Sequence, residues 1–277
     1  MKKKHGKKST VNKAFYFMVV PFMILFFIFH TIPFLQGIFY SFTDWKGYGI
    51  WNTVGFRNYI QFFKDPAMGQ TYAFTIKFAL CATILVNVLS LALACGLNAK
   101  IKFKNTIKAI YFLPYMLGTL IIGFVFNFIF GNVIPLWGQK LGIEALSTNI
   151  LGTNHAWLGI LFVTVWQAMA FNTLIYLSGL QTVDRDVYEA AGFKRFTKIT
   201  FPLIAPFFTI NMVLSVKNFL MAFDQIMAMT GGGPGTSTTS ISVLIYKRGF
   251  DGGQFAYQSA NSVSDYCGNF YIPAEST

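Results

Sequence analysis

Very few side chains in this chain are equipped for bond-making chemistry. His5, His30 and His155 are its only histidines. None has a carboxylate at metal-ligand spacing, and no H-E-x-x-H run occurs. His30 lies in an apolar segment, where a packing histidine is the better reading than a base. Cys81 and Cys95 share one apolar run and Cys267 stands near the C-terminus. That spacing suggests neither a metal site nor a disulfide framework, so Cys81 and Cys95 read as small packing residues. The glycine-rich MAMTGGGPG, Met227 to Gly235, lacks the lysine that a phosphate-binding loop requires. Its glycines and Pro234 predict an irregular connection instead. Neither catalysis nor a cofactor is expected.

What remains is polar chemistry inside apolar runs. Lys217 and Asn218 interrupt one such run, and Asp224 follows about two helical turns later, roughly 10 Å along a continuous helix. A charge within a membrane span costs at least about 2.5 kcal/mol, so it normally faces a bundle interior or a wet path. A stripe of Lys217, Asn218 and Asp224 beside Phe219 and Phe223 would offer hydrogen bonds and ring faces, which suits a polyhydroxylated solute. The competing reading lets Lys217 snorkel and puts Asp224 at the outer interface. Asn87, Asn127, Gln167 and Asn172 are amides in other apolar runs. Any of them can line a path or join helices, with packing the better reading for Asn87 and Asn127.

The composition explains why those runs exist. Of 277 residues 54% are apolar and 12% charged, where a soluble domain carries about a quarter charged. Lipid must therefore solvate much of the surface. The net charge of +12 is clustered: Lys2, Lys3, Lys4, Lys7, Lys8 and Lys13 crowd the N-terminus, and Lys100, Lys102, Lys104 and Lys108 one short loop. Positive charge flanking apolar runs is an orientation signal, so a nucleic-acid partner is not expected.

Five segments are long and apolar enough to cross a bilayer, which takes roughly 20 residues each. They are 15–39, about 72–97, 107–130, 156–180 and 203–227. The first is too long for a cleaved signal peptide and reads as a retained anchor. The basic clusters place the N-terminus and loop 98–108 in the cytoplasm, with loops 41–71 and 131–155 outside. Residues 259–277 contain no apolar run, so a short or truncated tail is expected where a sixth span would stand. The expected organisation is a basic tail (1–13), a transmembrane domain (14–258) and that tail (259–277), in an all-α polytopic fold.

Residues 184–202 form a short amphipathic link between the fourth and fifth runs. Its acidic residues come first and its basic ones later, which suits a helix and its dipole. Small Ala190 and Ala191 permit close approach, while Phe193 and Phe196 offer bulky knobs. A docking element pushed by a soluble partner would have this form. An ordinary polar connection between spans would look the same from physics alone.

Several stretches carry a family resemblance: FMVVPF at Phe17 to Phe22, FRNYIQFF at Phe56 to Phe63 and YFLPYML at Tyr111 to Leu117. It is strongest in WQAMAFNTLIYLSGLQTVDRDVYEAA, Trp166 to Ala191, in ITFPLIAP, Ile199 to Pro206, and in FDQIMAMTGGGPGTST, Phe223 to Thr238. The chain resembles the permease subunits of bacterial ABC carbohydrate importers, the class that includes maltose and glycerol-phosphate permeases. The resemblance implies a type I importer transmembrane domain in the bacterial cytoplasmic membrane. It also implies a second permease subunit, cytoplasmic ATP-binding subunits that hydrolyse the ATP, and an extracytoplasmic sugar-binding lipoprotein. The matching coupling positions are Glu189, Ala190, Ala191, Gly192, Ile199 and Pro202, and the docking reading adds the knobs Phe193 and Phe196 to them. The solute path would use Asn172, Lys217, Asn218, Phe219, Phe223 and Asp224. Two departures stand out: Gly192 directly follows Ala191, shortening the coupling motif by more than one helical turn, and the last span is missing. They keep open a non-functional or partly folded remnant. A small channel or secondary transporter is the alternative of another class, but no acidic residue lies deep in the first four runs and no internal repeat is visible.

Overall fold

The structure, a computed structural model, describes residues 13–99, 102–182 and 201–274. The first helical passage is α1 (Lys13–Phe26), a π-helical turn (Phe27–Thr31) and α2 (Ile32–Tyr40). Then come α3 (Arg57–Lys64), α4 (Pro66–Asn98), α5 (Lys104–Met116) and α6 (Thr119–Phe128). A second π turn (Ile129–Val133) leads into α7 (Ile134–Leu141), followed by α8 (Ala156–Gln181) and α9 (Phe201–Leu220). Short α10 (Asp224–Met229) and α11 (Ile241–Tyr246) precede α12 (Phe255–Ala274). Five helical passages among the described residues are long and apolar enough to cross a membrane: Tyr16–Tyr40, Pro66–Asn98, Thr119–Leu141, Ala156–Gln181 and Phe201–Leu220. The chain has an all-α, multi-spanning membrane fold.

Three sequence expectations change. The third apolar run does not form one helix over 107–130. It breaks at Leu117 and Gly118, both extended (ψ 141° and 136°), and the crossing helix runs from Thr119 to Leu141. Pro114 lacks an amide hydrogen for the i−4 ladder, which weakens α5 just before the break. The fifth run stops at Leu220 and does not reach Met227, because the chain turns through 221–223 before α10. Residues 259–274 of the expected C-terminal tail are helical, within α12. Its segment has no proline before Pro273, and Ser259 and Ser264 each return a hydroxyl to the carbonyl four residues back. It is not among the five apolar passages.

Two of the three π turns among the described residues stand just before a proline at the start of the resumed helix, Pro33 in α2 and Pro135 in α7; the third is Lys247–Asp251. Widening the turn upstream accommodates a residue that cannot donate to the helical ladder.

Two compact units divide the chain: Met1–Phe62 with Arg248–Ser264, and Phe63–Lys247 with Asp265–Thr277. In the smaller, residues 41–56 fold back on themselves. Thr43 bridges Thr53, and Asn58 donates from Nδ2 to the carbonyls of Ser41 and Thr43, both at 2.8 Å. Tyr40 stacks on Trp45 at 4.1 Å, and Trp45 meets the Phe255 ring edge-on.

In the larger unit α4 packs against α8 and α9, and α6 against α10. Its main core gathers Phe78, Val86, Ile160, Val163, Ile226 and Met229. Close approach of α6 to α10 depends on Gly123, where an added Cβ would sit 2.5 Å from that of Ala228. The glycine-rich loop is held by hydroxyls. Thr238 donates to the Gly233 carbonyl, Thr239 to Gly232 and Ser240 to Ala222. Lys247 adds its ammonium to the carbonyl of Gly231.

Candidate functional site

A cavity of about 500 Å³ opens in the larger unit beside the turn between α9 and α10. α8 supplies Thr164, Gln167, Ala168 and Asn172, and α9 supplies Ser215, Asn218 and Phe219. Both sets follow the three- and four-residue spacing that keeps side chains on one helical face. Met221, Ala222 and Phe223 come from the turn, Asp224 and Gln225 from the start of α10, and Tyr115 and Thr119 from either side of the α5–α6 break.

The break itself is held from the cavity wall. Gln167 donates from Nε2 to the carbonyl of Leu117 at 3.2 Å and, at 3.5 Å, to that of Pro114. Its Oε1 accepts from Gln225 Nε2 at 3.2 Å. One buried amide thus satisfies backbone that the break has released and ties α8 to α10.

A second network lies behind the wall. Ser215 donates to Asn172 Oδ1 at 3.1 Å, and Asn172 Nδ2 donates to the Ala168 carbonyl. Asn211 donates from Nδ2 to the backbone carbonyl of Asn172. Asn87 of α4 reaches Ser215 at 3.4 Å and accepts a 2.6 Å hydrogen bond from the Tyr176 hydroxyl. These bonds fix three helices in one register, so the polar face of the cavity is pre-positioned.

Of the expected path residues, Asn172, Asn218, Phe219, Phe223 and Asp224 border the cavity together. Lys217 does not: it is exposed and outside the lining. The expected alignment of Lys217 with Asp224 assumed an unbroken helix, and the turn at 221–223 removes that premise. Sequence reasoning did not single out Tyr115, Thr119, Thr164, Ser215 or Gln225. The recurring small polar residues on one face of α8 and of α9 were the available signal. In the sequence Gln167 is only one of several amides within apolar runs.

Among the described residues Asp224 carries the lining's only formal charge, and no Lys, Arg or His borders the cavity. Thr164 is 3% exposed, and its Oγ1 has no hydrogen-bond partner among the described residues. Elsewhere in this unit the Lys77 ammonium lies over the Trp157 ring, 4.2 Å from its centre. No group of three or more His, Cys, Asp or Glu that could hold a metal ion occurs among the described residues. The coupling positions Glu189, Ala190, Ala191, Gly192, Phe193, Phe196 and Ile199 lie outside the described residues. Pro202 is described, exposed in the first turn of α9.

A membrane-spanning bundle enclosing a polar cavity is the form of a transport subunit. Residues 86–256 match the family described as binding-protein-dependent transport system inner membrane component, and the chain belongs to it. It is 36% identical over 263 residues to the multiple sugar-binding transport system permease protein MsmF of Streptococcus mutans serotype c, covering 91% of this chain and 90% of that protein. It is 32% identical over 263 residues to the probable starch degradation products transport system permease protein AmyD of Thermoanaerobacterium thermosulfurigenes, covering 92% and 90%. In fold it is similar to a chain of a bacterial ABC transporter involved in import of the acidic polysaccharide alginate. That match has a TM-score of 0.78 at 21% identity and covers 94% of this chain and 92% of that one. The family is one of transport permeases and not of enzymes.

Proposed function

We propose that this chain is the permease subunit of an ATP-driven sugar importer in a bacterial cytoplasmic membrane, with its N-terminus in the cytoplasm. It pairs with a second permease subunit, is driven by separate cytoplasmic ATP-binding subunits, and receives sugar from an extracytoplasmic binding lipoprotein. The cavity bounded by α8, α9 and the start of α10 is its share of the solute path. The observation that carries this reading is that cavity, with Asn172, Asn218, Phe219, Phe223 and Asp224 around it in a chain of a binding-protein-dependent transport family. The relatives named for sugar and starch-product transport support the choice of solute.

The geometry of α9 supports the coupling. The helix starts where the 184–202 segment ends and carries Ser215, Asn218 and Phe219 to the cavity, roughly 20 Å from Pro202. A displacement applied near Pro202 is transmitted along α9, past Pro206, to the cavity wall. Nucleotide-driven closure of the ATP-binding subunits would then bias inward- and outward-facing packings from a distance.

Cysteine-scanning crosslinking tests this assignment. With single cysteines placed from Glu189 to Lys198 and the importer subunits co-expressed, bifunctional reagents should capture an ATP-hydrolysing subunit, and sugar delivered by the binding protein should stimulate ATP hydrolysis. Absence of both in native membranes contradicts the assignment.

A further inference from the structure

We infer that the cavity accepts an uncharged sugar ring and turns away anionic carbohydrate, an inference that rests on reading the cavity as the solute path. Desolvating a carboxylate or phosphate requires a cation or a convergent set of N–H donors. Among the described residues the lining contains no Lys, Arg or His, and its only formal charge, at Asp224, is negative. The side-chain amide of Asn172 is engaged: Nδ2 donates to the Ala168 carbonyl and Oδ1 accepts from Ser215. An anion entering here would meet a like charge with no cation among the described lining residues to offset it.

An uncharged sugar fits the same wall on each count. Its hydroxyls can donate to Asp224, which accepts without needing a cation. The partly exposed Phe223 side chain provides apolar surface against which the C–H face of a pyranose can lie.

The experiment is saturation-transfer NMR on the full chain in lipid nanodiscs. The probes are methyl α-glucoside and methyl α-glucuronide, rings of one shape that differ by a carboxylate. The glucoside should give a response at least tenfold stronger than the glucuronide. Asn218→Trp, which fills the mouth of the cavity, should abolish the glucoside response, and Asp224→Asn should narrow the gap between the probes. Equal responses to both probes, each abolished by Asn218→Trp, would leave the solute path standing and overturn the charge selectivity. An unchanged gap in Asp224→Asn would overturn it as well. No response to either probe, or a response that survives Asn218→Trp, would remove the solute-path reading and this inference with it.

Discussion

Gln167 of α8 accepts at Oε1 a hydrogen bond from Gln225 Nε2 of α10, 3.2 Å away, while its own Nε2 is spent on the carbonyls released at the α5–α6 break. A single side chain therefore joins a break in one membrane segment to the helix that follows the cavity turn. Replacing it by leucine orphans the Leu117 carbonyl, which costs about 1–3 kcal/mol where no water reaches it. Gln225→Leu breaks one bond between side chains and should cost about 0.6 kcal/mol. Thermal unfolding in detergent should rank the variants in that order. Equal costs would mean that the break is not held by Gln167.

Gly123 sets the distance between α6 and α10. Gly123→Ala drives its Cβ against Ala228, and overpacking of this kind costs about 1–3 kcal/mol. Adding Ala228→Gly should recover most of the loss, which a double-mutant cycle on unfolding midpoints would show. A double variant no better than the single would place the strain elsewhere.

Tyr176 is fully buried and donates to Asn87 across the α4–α8 interface. Tyr176→Phe should cost about 0.6 kcal/mol, the usual scale for a hydrogen bond between membrane helices. Asn87→Leu should cost more, because it leaves the Tyr176 hydroxyl without its acceptor and cuts the link to Ser215. Reversible unfolding in mixed micelles measures both.

Asp44 anchors the folded-back loop of the smaller unit. Hydrogen bonds from the Asn52 backbone and then its side chain hold the Asp44 carboxyl below the usual carboxylate range. A depressed folded value means that the stabilisation is complete above the unfolded pKa, about 3.9, and is lost as pH falls through the lower folded value. Near-ultraviolet circular dichroism, sensitive to the adjacent Tyr40–Trp45 stack, should change on acidification below about pH 4 in the wild type. Asp44→Asn should lack that acid transition. The same transition in both proteins would assign it to another group.

The sequence was most legible where apolar character ran unbroken. The expected spans 72–97 and 156–180 correspond to α4 (Pro66–Asn98) and α8 (Ala156–Gln181). It was least legible where tertiary partners decide the backbone. Pro114 weakens the helix locally, but it does not fix Leu117 and Gly118 as the break in a run that stays apolar, because what stabilises the break is an amide about fifty residues away. The turn after Leu220 is similar, with the Ala222 carbonyl satisfied by Ser240 from the far side of the glycine-rich loop. That turn is why Asp224 borders the cavity while Lys217 does not. Of the five expected residues that do gather there, Asn172, Asn218 and Asp224 stand out in the sequence as polar groups that interrupt apolar runs, and Phe219 and Phe223 as the rings beside them. Thr164 and Ser215 escaped notice because hydroxyls are unremarkable in such runs until their partners are known.

The central claim is that solute passes through the cavity bordered by Asn218. It is tested most directly by uptake of labelled sugar into proteoliposomes containing the assembled importer, comparing wild type with Asn218→Trp and Asn218→Ala. The account predicts that tryptophan at the cavity mouth reduces ATP-dependent uptake at least tenfold while the complex still assembles and hydrolyses ATP, and that alanine leaves most transport intact. Undiminished uptake through the tryptophan variant would contradict it.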